Sequence, residues 1–239
     1  MLKHYLLQMY FIIRKMIMYI RKKKFVGEPW DESADHEHCR YREYIQKNRL
    51  LDYRVRCVSA EFPDGFKWVG GQSLQDVIYG IPNGETRMLL YRWQDAAVQL
   101  EGNLRKGNFK WTGACVYQGK IYGFPRTANS FVMYDPNRNE MDEIPIDTNY
   151  MGEHHYGGVC TGQGIVYQPP RGNADILVTD LNTMECRHIR VLDTVFGKQI
   201  RDRYCGSILH PNGCIYFLPE QHGKVIKFDI KTERWCFIG

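Results

Sequence analysis

The chain has 239 residues, of which 44% are hydrophobic and 13% aromatic, so it can bury a substantial core and is not expected to be disordered. Its formal net charge of +5 is modest, and much of the positive charge lies within the first 24 residues. The main body is therefore close to neutral, and nothing in it supports a nucleic-acid-binding surface.

Eight cysteines are present, but a chain that can build a core of this size does not need a disulfide framework. Cys115, Cys160, Cys205 and Cys214 lie among apolar residues of candidate strands, and the sequence contains no Cys-x-x-Cys pair that could hold zinc. We expect buried, reduced thiols, no metal or other cofactor, and a cytoplasmic location.

Residues 1–26 are predicted to form a basic amphipathic helix. Apolar side chains such as Leu6, Ile13 and Ile17 share one side of a helical wheel, and basic side chains share the other. Arg14 and Lys15 interrupt the apolar run well before the ~20 residues that a membrane span needs, and basic residues stand where a signal peptide would be cleaved. Two alternatives remain: residues 1–24 lie on an anionic membrane surface, making the protein peripheral to a membrane, or the apolar face packs on the rest of the chain.

Residues 27–52 are predicted to form a second, more polar helix or linker. The segment "DHEHC" at 35–39 contains several residue types that bind metals. Four such side chains within five helical residues point around most of the helix, so few of them could share one tetrahedral ion. We therefore predict a solvated helix start and no metal site.

Residues 53–239 contain four tandem units, which start near residues 66, 109, 154 and 202. In each unit an aromatic residue is followed two positions later by glycine, then by a tyrosine, and three residues beyond that tyrosine by proline. The aligned aromatic residues are Trp68, Trp111, Tyr156 and Tyr204, spaced by 43, 45 and 48 residues. Agreement at this many positions indicates a true repeat.

Each unit is predicted to form four short antiparallel strands. In the second unit the strands are "GACVYQ", "IYGFP", "FVMYD" and "EMDEIPI", separated by the turns "QGK" and "PNRN" and one loop. Aspartate heads the last turn of the second, third and fourth units, where a carboxylate accepts hydrogen bonds from nearby backbone amides. The predicted fold is all-β, a propeller-like array of four four-stranded blades preceded by an N-terminal helical extension.

The repeated unit resembles a blade of the kelch and galactose-oxidase-like β-propeller superfamily. The matching pieces are "GKIYGFP" with "MYDPNRNE" and "GCIYFLP" with "KFDIKTERW", and the resemblance covers about residues 66–239. The glycine doublet expected after the second strand is replaced, and the fourth-strand tryptophan is retained only as Trp235. The resemblance implies a propeller fold, whereas no residues map one by one onto the copper site of the galactose-oxidase-like enzymes.

The sequence leaves the closure of the array open. The alternating segment "YRVRCVSAE" at 53–61 could supply a closing strand. The alternatives are a small closed ring, an open arc whose edges pair with a second copy, and a piece of a longer propeller. The oligomeric state is not predicted.

Two sets of polar residues recur at equivalent positions of the units, and in equivalent blades they would surround one mouth of a central channel. The residues before the repeated aromatic residue are Lys67, Lys110, His155 and Arg203, and those after the repeated proline are Asn83, Arg126, Arg171 and Glu220. We expect the first set to reach solvent or the channel and, with Arg126 and Arg171, to bind an acidic peptide or an anionic small ligand. The alternative is a solvated strand edge without a function.

The sequence favours a non-catalytic protein-interaction module over an enzyme. The residues best suited to catalysis are His154, His155, Tyr156, Arg171 and Arg203, but they include no nucleophile beside a base, no carboxylate pair and no metal-ligand set. The predicted partner is a protein. The alternative function is a carbohydrate- or anion-binding or hydrolytic propeller that uses the channel mouth, because one fold hosts many functions.

Overall fold

A computed structural model describes Phe62 and residues 67–147, 155–171, 175–193, 198–199, 204–220 and 223–238. The two predicted N-terminal helices, the segment 53–61, His154 and Arg203 lie outside these residues. Within the described ranges, no helix has the length and apolar character needed to cross a membrane.

The described residues form four antiparallel four-stranded sheets, one for each repeat, with strands hydrogen-bonded in chain order. Blade 1 consists of β1 (Trp68–Leu74), β2 (Val77–Pro82), β3 (Met88–Arg92) and β4 (Ala97–Glu101). Blade 2 consists of β5 (Trp111–Tyr117), β6 (Lys120–Pro125), β7 (Ser130–Asp135) and β8 (Glu140–Pro145). Blade 3 consists of β9 (Val159–Cys160), β10 (Ile165–Gln168), β11 (Asp175–Asp180) and β12 (Cys186–Arg190). A short hairpin of β13 (Leu192–Asp193) and β14 (Lys198–Gln199) precedes blade 4, which consists of β15 (Tyr204–Leu209), β16 (Cys214–Pro219), β17 (Val225–Asp229) and β18 (Arg234–Ile238).

Consecutive blades pack face to face, and three apolar clusters lie between blades 1 and 2, 2 and 3, and 3 and 4. Because side chains alternate along a strand, each blade has a forward face toward the next blade and a backward face toward the previous one. The first strands of neighbouring blades contact one another, which places them on the inside of the array. This is the architecture of a β-propeller with four blades, so the predicted repeat fold is confirmed.

The repeated glycine lies where neighbouring first strands approach closely. Gly70 and Gly113 have φ angles of 75° and 74°, which favour glycine, and both lie at register shifts in their strand pairs. A Cβ atom added to Gly70 would lie 2.8 Å from the Cα atom of Gly113. Any other residue would therefore push the inner strands of blades 1 and 2 apart.

The repeated aromatic residue ties the first strand of a blade to the start of its third strand. Trp68 donates its indole N–H to the Arg87 carbonyl at 2.9 Å, and Trp111 donates to the Ser130 carbonyl at 2.7 Å. In blade 4 the Tyr204 hydroxyl donates to the Lys224 carbonyl at 2.8 Å. A large ring with a donor at its far end is needed to span this distance, which explains the Trp or Tyr of the repeat.

The predicted aspartate turns are confirmed. The Asp135 carboxylate accepts the Asn137 backbone N–H at 3.0 Å, and the Asp180 carboxylate accepts the Asn182 N–H at 2.8 Å. Asp229 differs slightly, because it accepts the N–H of the residue three positions on. These bonds hold the turn between the third and fourth strands.

Candidate functional site

The two recurring polar sets meet at one end of the propeller, where first strands begin and second strands end. The backbone N–H of Asn83 donates to the Lys67 carbonyl at 2.7 Å, and that of Arg126 donates to the Lys110 carbonyl at 2.8 Å. The Lys110 N–H donates to the Asn83 carbonyl at 3.1 Å and so links blade 1 to blade 2. We call this end, with Lys67, Asn83, Lys110, Arg126, His155, Arg171 and Glu220, the mouth.

Lys110 does not reach solvent, so the expectation of an exposed basic side chain is wrong here. Its relative exposure is 3%, and its ammonium group donates to the carbonyls of Glu85 and Gly107 at 2.9 and 3.0 Å. The same group lies 5.3 Å from the centroid of the Trp111 ring. The loop after β2 and the loop after β4 close over this position, and the resulting burial lowers the pKa of Lys110.

His155 also fails the expectation of solvent exposure, because it is fully buried. Its Nδ1 atom lies 2.7 Å from the Pro169 carbonyl oxygen. A carbonyl only accepts, so Nδ1 carries the proton and donates it. This histidine joins the start of β9 to the end of β10 and is not placed to contact a bulky ligand.

Lys67 is half-buried and faces a carboxylate. Its ammonium group lies 3.6 Å from Glu85, and the Arg87 guanidinium lies at the same distance from that carboxylate. Burial by itself raises the pKa of Glu85, but hydrogen bonds from the amide and hydroxyl of Thr86, with the two nearby cations, lower it overall. The first blade thus carries a partly neutralised ion cluster at the mouth.

Arg126 and Arg171 are held against the same aromatic ring. The Arg126 guanidinium carbon lies 4.5 Å from the Phe109 ring centroid and 4.8 Å from that of Tyr156. The Arg171 guanidinium carbon lies 5.1 Å from the Tyr156 centroid, and its group forms an ion pair with Glu220. Both arginines are buried, so their planar groups are preorganised by packing.

Tyr156 departs from the repeat in a way that the sequence shows only faintly. Among the described residues, Tyr156 donates no hydrogen bond equivalent to those of Trp68, Trp111 and Tyr204. Its ring instead contacts the guanidinium groups of Arg126 from blade 2 and Arg171 from blade 3. The sequence indicated both arginines, but it did not indicate that Tyr156 joins them. The available signal was tyrosine at a position occupied by tryptophan in the two preceding units.

Two buried amide side chains join neighbouring blades beneath this layer. Asn83 donates from Nδ2 to the Trp111 carbonyl at 2.8 Å. Gln168 donates from Nε2 to the Pro125 carbonyl at 3.0 Å and to the Gly157 carbonyl at 3.2 Å. The Asn83 bond crosses from blade 1 to blade 2, and the Gln168 bond to Pro125 crosses from blade 3 to blade 2 directly before Arg126 in the chain.

A cavity of about 400 Å³ lies among the first strands of all four blades. Its lining includes Gln72, Cys115, Cys160 and Leu209. The turn that joins the first two strands of blade 3 holds one more residue than the corresponding turn of blade 2. Cys160 therefore lies opposite Val166, and its side chain faces blade 2. Hydrogen bonding to Cys160 and burial raise the pKa of the Cys115 thiol, and the same bond lowers the pKa of Cys160.

The cysteines at 115, 160, 205 and 214 are free thiols. Cys115 and Cys214 are buried, as expected, whereas Cys160 and Cys205 are only half-buried. In the part of the chain that the structure describes, no group of three His, Cys, Asp or Glu side chains is close enough to hold a metal ion.

Neither a comparison with protein-family models nor one with curated proteins gives a match. Solved structures do match. A streptogramin B lyase superposes with a TM-score of 0.58 at 13% identity over 74% of this chain and 55% of its own. A catalytically inactive virginiamycin B lyase from Staphylococcus aureus with quinupristin gives 0.56 at 10% identity over 71% and 54% of the two chains. YjhT gives 0.54 at 13% identity over 77% and 68%.

These likenesses are to β-propellers. At 10 to 13% identity they show the fold alone, and the propeller architecture is all that they establish. The chain spans about half the length of the two lyases that it matches.

Proposed function

We propose that this protein is a non-catalytic, kelch-like propeller that binds a protein partner at the mouth, where Arg126 and Arg171 receive an acidic segment of that partner. The observation that carries the proposal is the pair of guanidinium groups held against one tyrosine ring. A guanidinium group presents several N–H donors in a fixed plane, which suits carboxylates. Arg126 and Arg171 are 8% and 5% exposed, so an acidic segment must displace neighbouring side chains of the mouth to reach their guanidinium groups.

The charge balance at the mouth supports an acidic ligand. Lys67, Lys110, Arg126 and Arg171 contribute cations, whereas Glu85 and Glu220 contribute carboxylates. Cationic groups thus outnumber carboxylates, and such a charge balance favours an anionic ligand. Since Glu220 is already paired with Arg171, an incoming carboxylate would compete with it for that guanidinium.

The burial of His155 argues against catalysis at this site. Its Nδ1 proton is committed to the Pro169 carbonyl, and the side chain is not accessible. A general base must come within hydrogen-bond distance of the proton that it removes. Free thiols support a cytoplasmic site of action, where thiols are kept reduced.

Fluorescence anisotropy with a labelled oligoglutamate peptide tests the proposal. We expect wild-type protein to bind it, and binding to weaken when ionic strength rises from about 0.01 M to about 0.1 M, because the Debye length falls from about 30 Å to about 10 Å. Arg126→Gln and Arg171→Gln should each weaken binding about tenfold, or about 1.4 kcal/mol. The matched control is Arg138→Gln, because Arg138 is an exposed arginine in the turn between β7 and β8, at the other end of blade 2.

Equal affinities of the control and the two mouth variants would contradict the proposal. Failure of wild type to bind the peptide, with a thermal shift caused by inorganic phosphate, would instead favour the alternative of an anionic small ligand. Melting temperatures of the variants must be measured alongside, because both arginines are buried.

A further inference from the structure

The three interfaces between blades follow one rule. On the forward face, the second-strand tyrosine of blades 1, 2 and 3 packs into the cluster shared with the next blade. On the backward face, the residue before that tyrosine position packs into the cluster shared with the previous blade. These backward residues are Ile121, Val166 and Ile215, and each is 0% exposed.

The backward face of blade 1 carries equivalent apolar residues, and two of them are exposed. Ile78 is equivalent to Ile121, yet it is 45% exposed. Trp93 follows the third strand, as Leu181 and Ile230 do in blades 3 and 4, where those residues pack on the preceding blade. Trp93 is 58% exposed. This face therefore has the composition of a blade interface.

The forward face of blade 4 shows the same property. Leu218 precedes the repeated proline, as do Ile81 and Phe124, which are both buried between blades. Leu218 is 38% exposed. Ile208 lies opposite the second-strand tyrosine, as Cys115 does, and it is also exposed. Among the four described blades, one backward face and one forward face are therefore not covered by another blade.

The two end faces are complementary in their aromatic residues. Inside the array, Tyr79 of blade 1 contacts Tyr134 of blade 2 with ring centroids 5.6 Å apart, and Tyr167 of blade 3 contacts Phe228 of blade 4 at 5.5 Å. Each pair joins a forward tyrosine of the second strand to a backward ring of the third strand. Tyr216 occupies the forward position of blade 4, and the equivalent of Tyr134 in blade 1 is Tyr91.

They are also complementary in shape. Ile81 of blade 1 lies against Gly123 of blade 2. A Cβ atom added to Gly123 would lie 2.9 Å from the Ile81 side chain. Leu218 is equivalent to Ile81, and Gly80 is equivalent to Gly123. The forward face of blade 4 therefore has the projecting side chain, and the backward face of blade 1 has the glycine that would receive it.

We propose that a second copy of this chain covers both end faces, with blade 4 of each copy packed on blade 1 of the other. The chain itself carries both halves of the contact, and the three internal interfaces show how such halves pack. A head-to-tail contact of this kind forms a ring when the rotation closes, and two copies would give eight blades, within the range of closed propellers. This inference does not depend on the ligand of the mouth.

Light scattering on the eluted 239-residue chain tests the proposal by mass. We expect about twice the 28.1 kDa of one chain. Ile78→Lys and Leu218→Glu each bury a charge in the proposed contact, so each variant alone should elute as a monomer. Both sites are exposed in the single chain, so melting should remain cooperative. Asn137→Lys and Asn137→Glu, in an exposed turn of blade 2, are charge-matched controls that should remain dimeric.

Mixing the two interface variants distinguishes head-to-tail contact from other dimers. In the mixed dimer one junction is wild type, and the other joins Lys to Glu, so an equimolar mixture should recover the dimer mass. A monomeric wild-type protein would overturn the proposal. A dimer that only one of the two substitutions disrupts, or an assembly larger than two copies, would overturn it as well.

Discussion

Replacing Lys110 with alanine tests whether the mouth is a structural layer as well as a charged one. The Lys110 ammonium group donates to the carbonyls of Glu85 and Gly107 and lies over the Trp111 ring. It therefore joins the loop after β2, the loop after β4 and the first strand of blade 2. Alanine would leave two partly buried carbonyls without this donor.

The expected cost follows from these contacts. A hydrogen bond from a charged group contributes about 1.5–3 kcal/mol, and a cation–π contact contributes about 0.5–2 kcal/mol. Removing the ammonium group also removes the cost of burying a charge, which is the reason that its pKa is lowered. We therefore expect a net loss of about 2–4 kcal/mol. For a domain of this size, about 3 kcal/mol corresponds to roughly 6–12 °C in melting temperature.

Thermal denaturation followed by circular dichroism measures this loss, with Lys67→Ala as the matched control. Lys67 occupies the equivalent position in blade 1, but it is only half-buried and its partner is a carboxylate 3.6 Å away. Such a pair contributes about 0–1 kcal/mol, so the control should melt within about 4 °C of wild type. Equal melting temperatures for the Lys110 variant and wild type would refute the argument from burial.

Two further predictions concern packing and pH. Gly123→Ala should destabilise the fold by about 1–3 kcal/mol in chemical denaturation, because its Cβ atom would lie 2.6 Å from Val132 and 2.9 Å from Ile81. The control Gly162→Ala should cost much less, because a Cβ atom at that position would have nothing within 4 Å. Equal losses of stability in the two variants would contradict the close packing at Gly123. The folded pKa of Glu85 is lowered, so the stability that it contributes is present above its ordinary pKa of 4.5 and is lost as pH falls through the lowered value. Glu85→Gln should therefore reduce the fall in melting temperature below about pH 4.5, and an unchanged acid sensitivity would show that this carboxylate does not contribute.

The local structure of the repeat domain could be predicted because it depends on patterns that the sequence displays directly. Alternating apolar residues define each strand, and Asp135 or Asp180 at the head of a turn satisfies amides only two residues away. The 43-residue spacing of Trp68 and Trp111 repeats because each indole reaches a carbonyl at the same place in its own blade. These are interactions within one unit, so they recur with its period.

The candidate site was only partly predictable. Arg126 and Arg171 could be selected because both follow the repeated proline, but their contact through Tyr156 joins residues of different units. The same is true of the placement of Cys115 and Cys160 on the lining of one cavity, which depends on one extra residue in a turn of blade 3. A repeat shows what the units share, whereas these contacts arise from their differences.

The sequence by itself determined the number of blades, the strands within each blade and the end of the propeller at which the basic residues gather. Only the tertiary structure decided which of those residues are accessible. Lys110 and Lys67 occupy the same position of the repeat, yet one is enclosed by carbonyls and an indole ring, and the other faces a carboxylate near the surface. Strand position depends on neighbours in the chain, but the environment of a side chain depends on loops and rings that other blades bring to it, and these follow no period in the sequence.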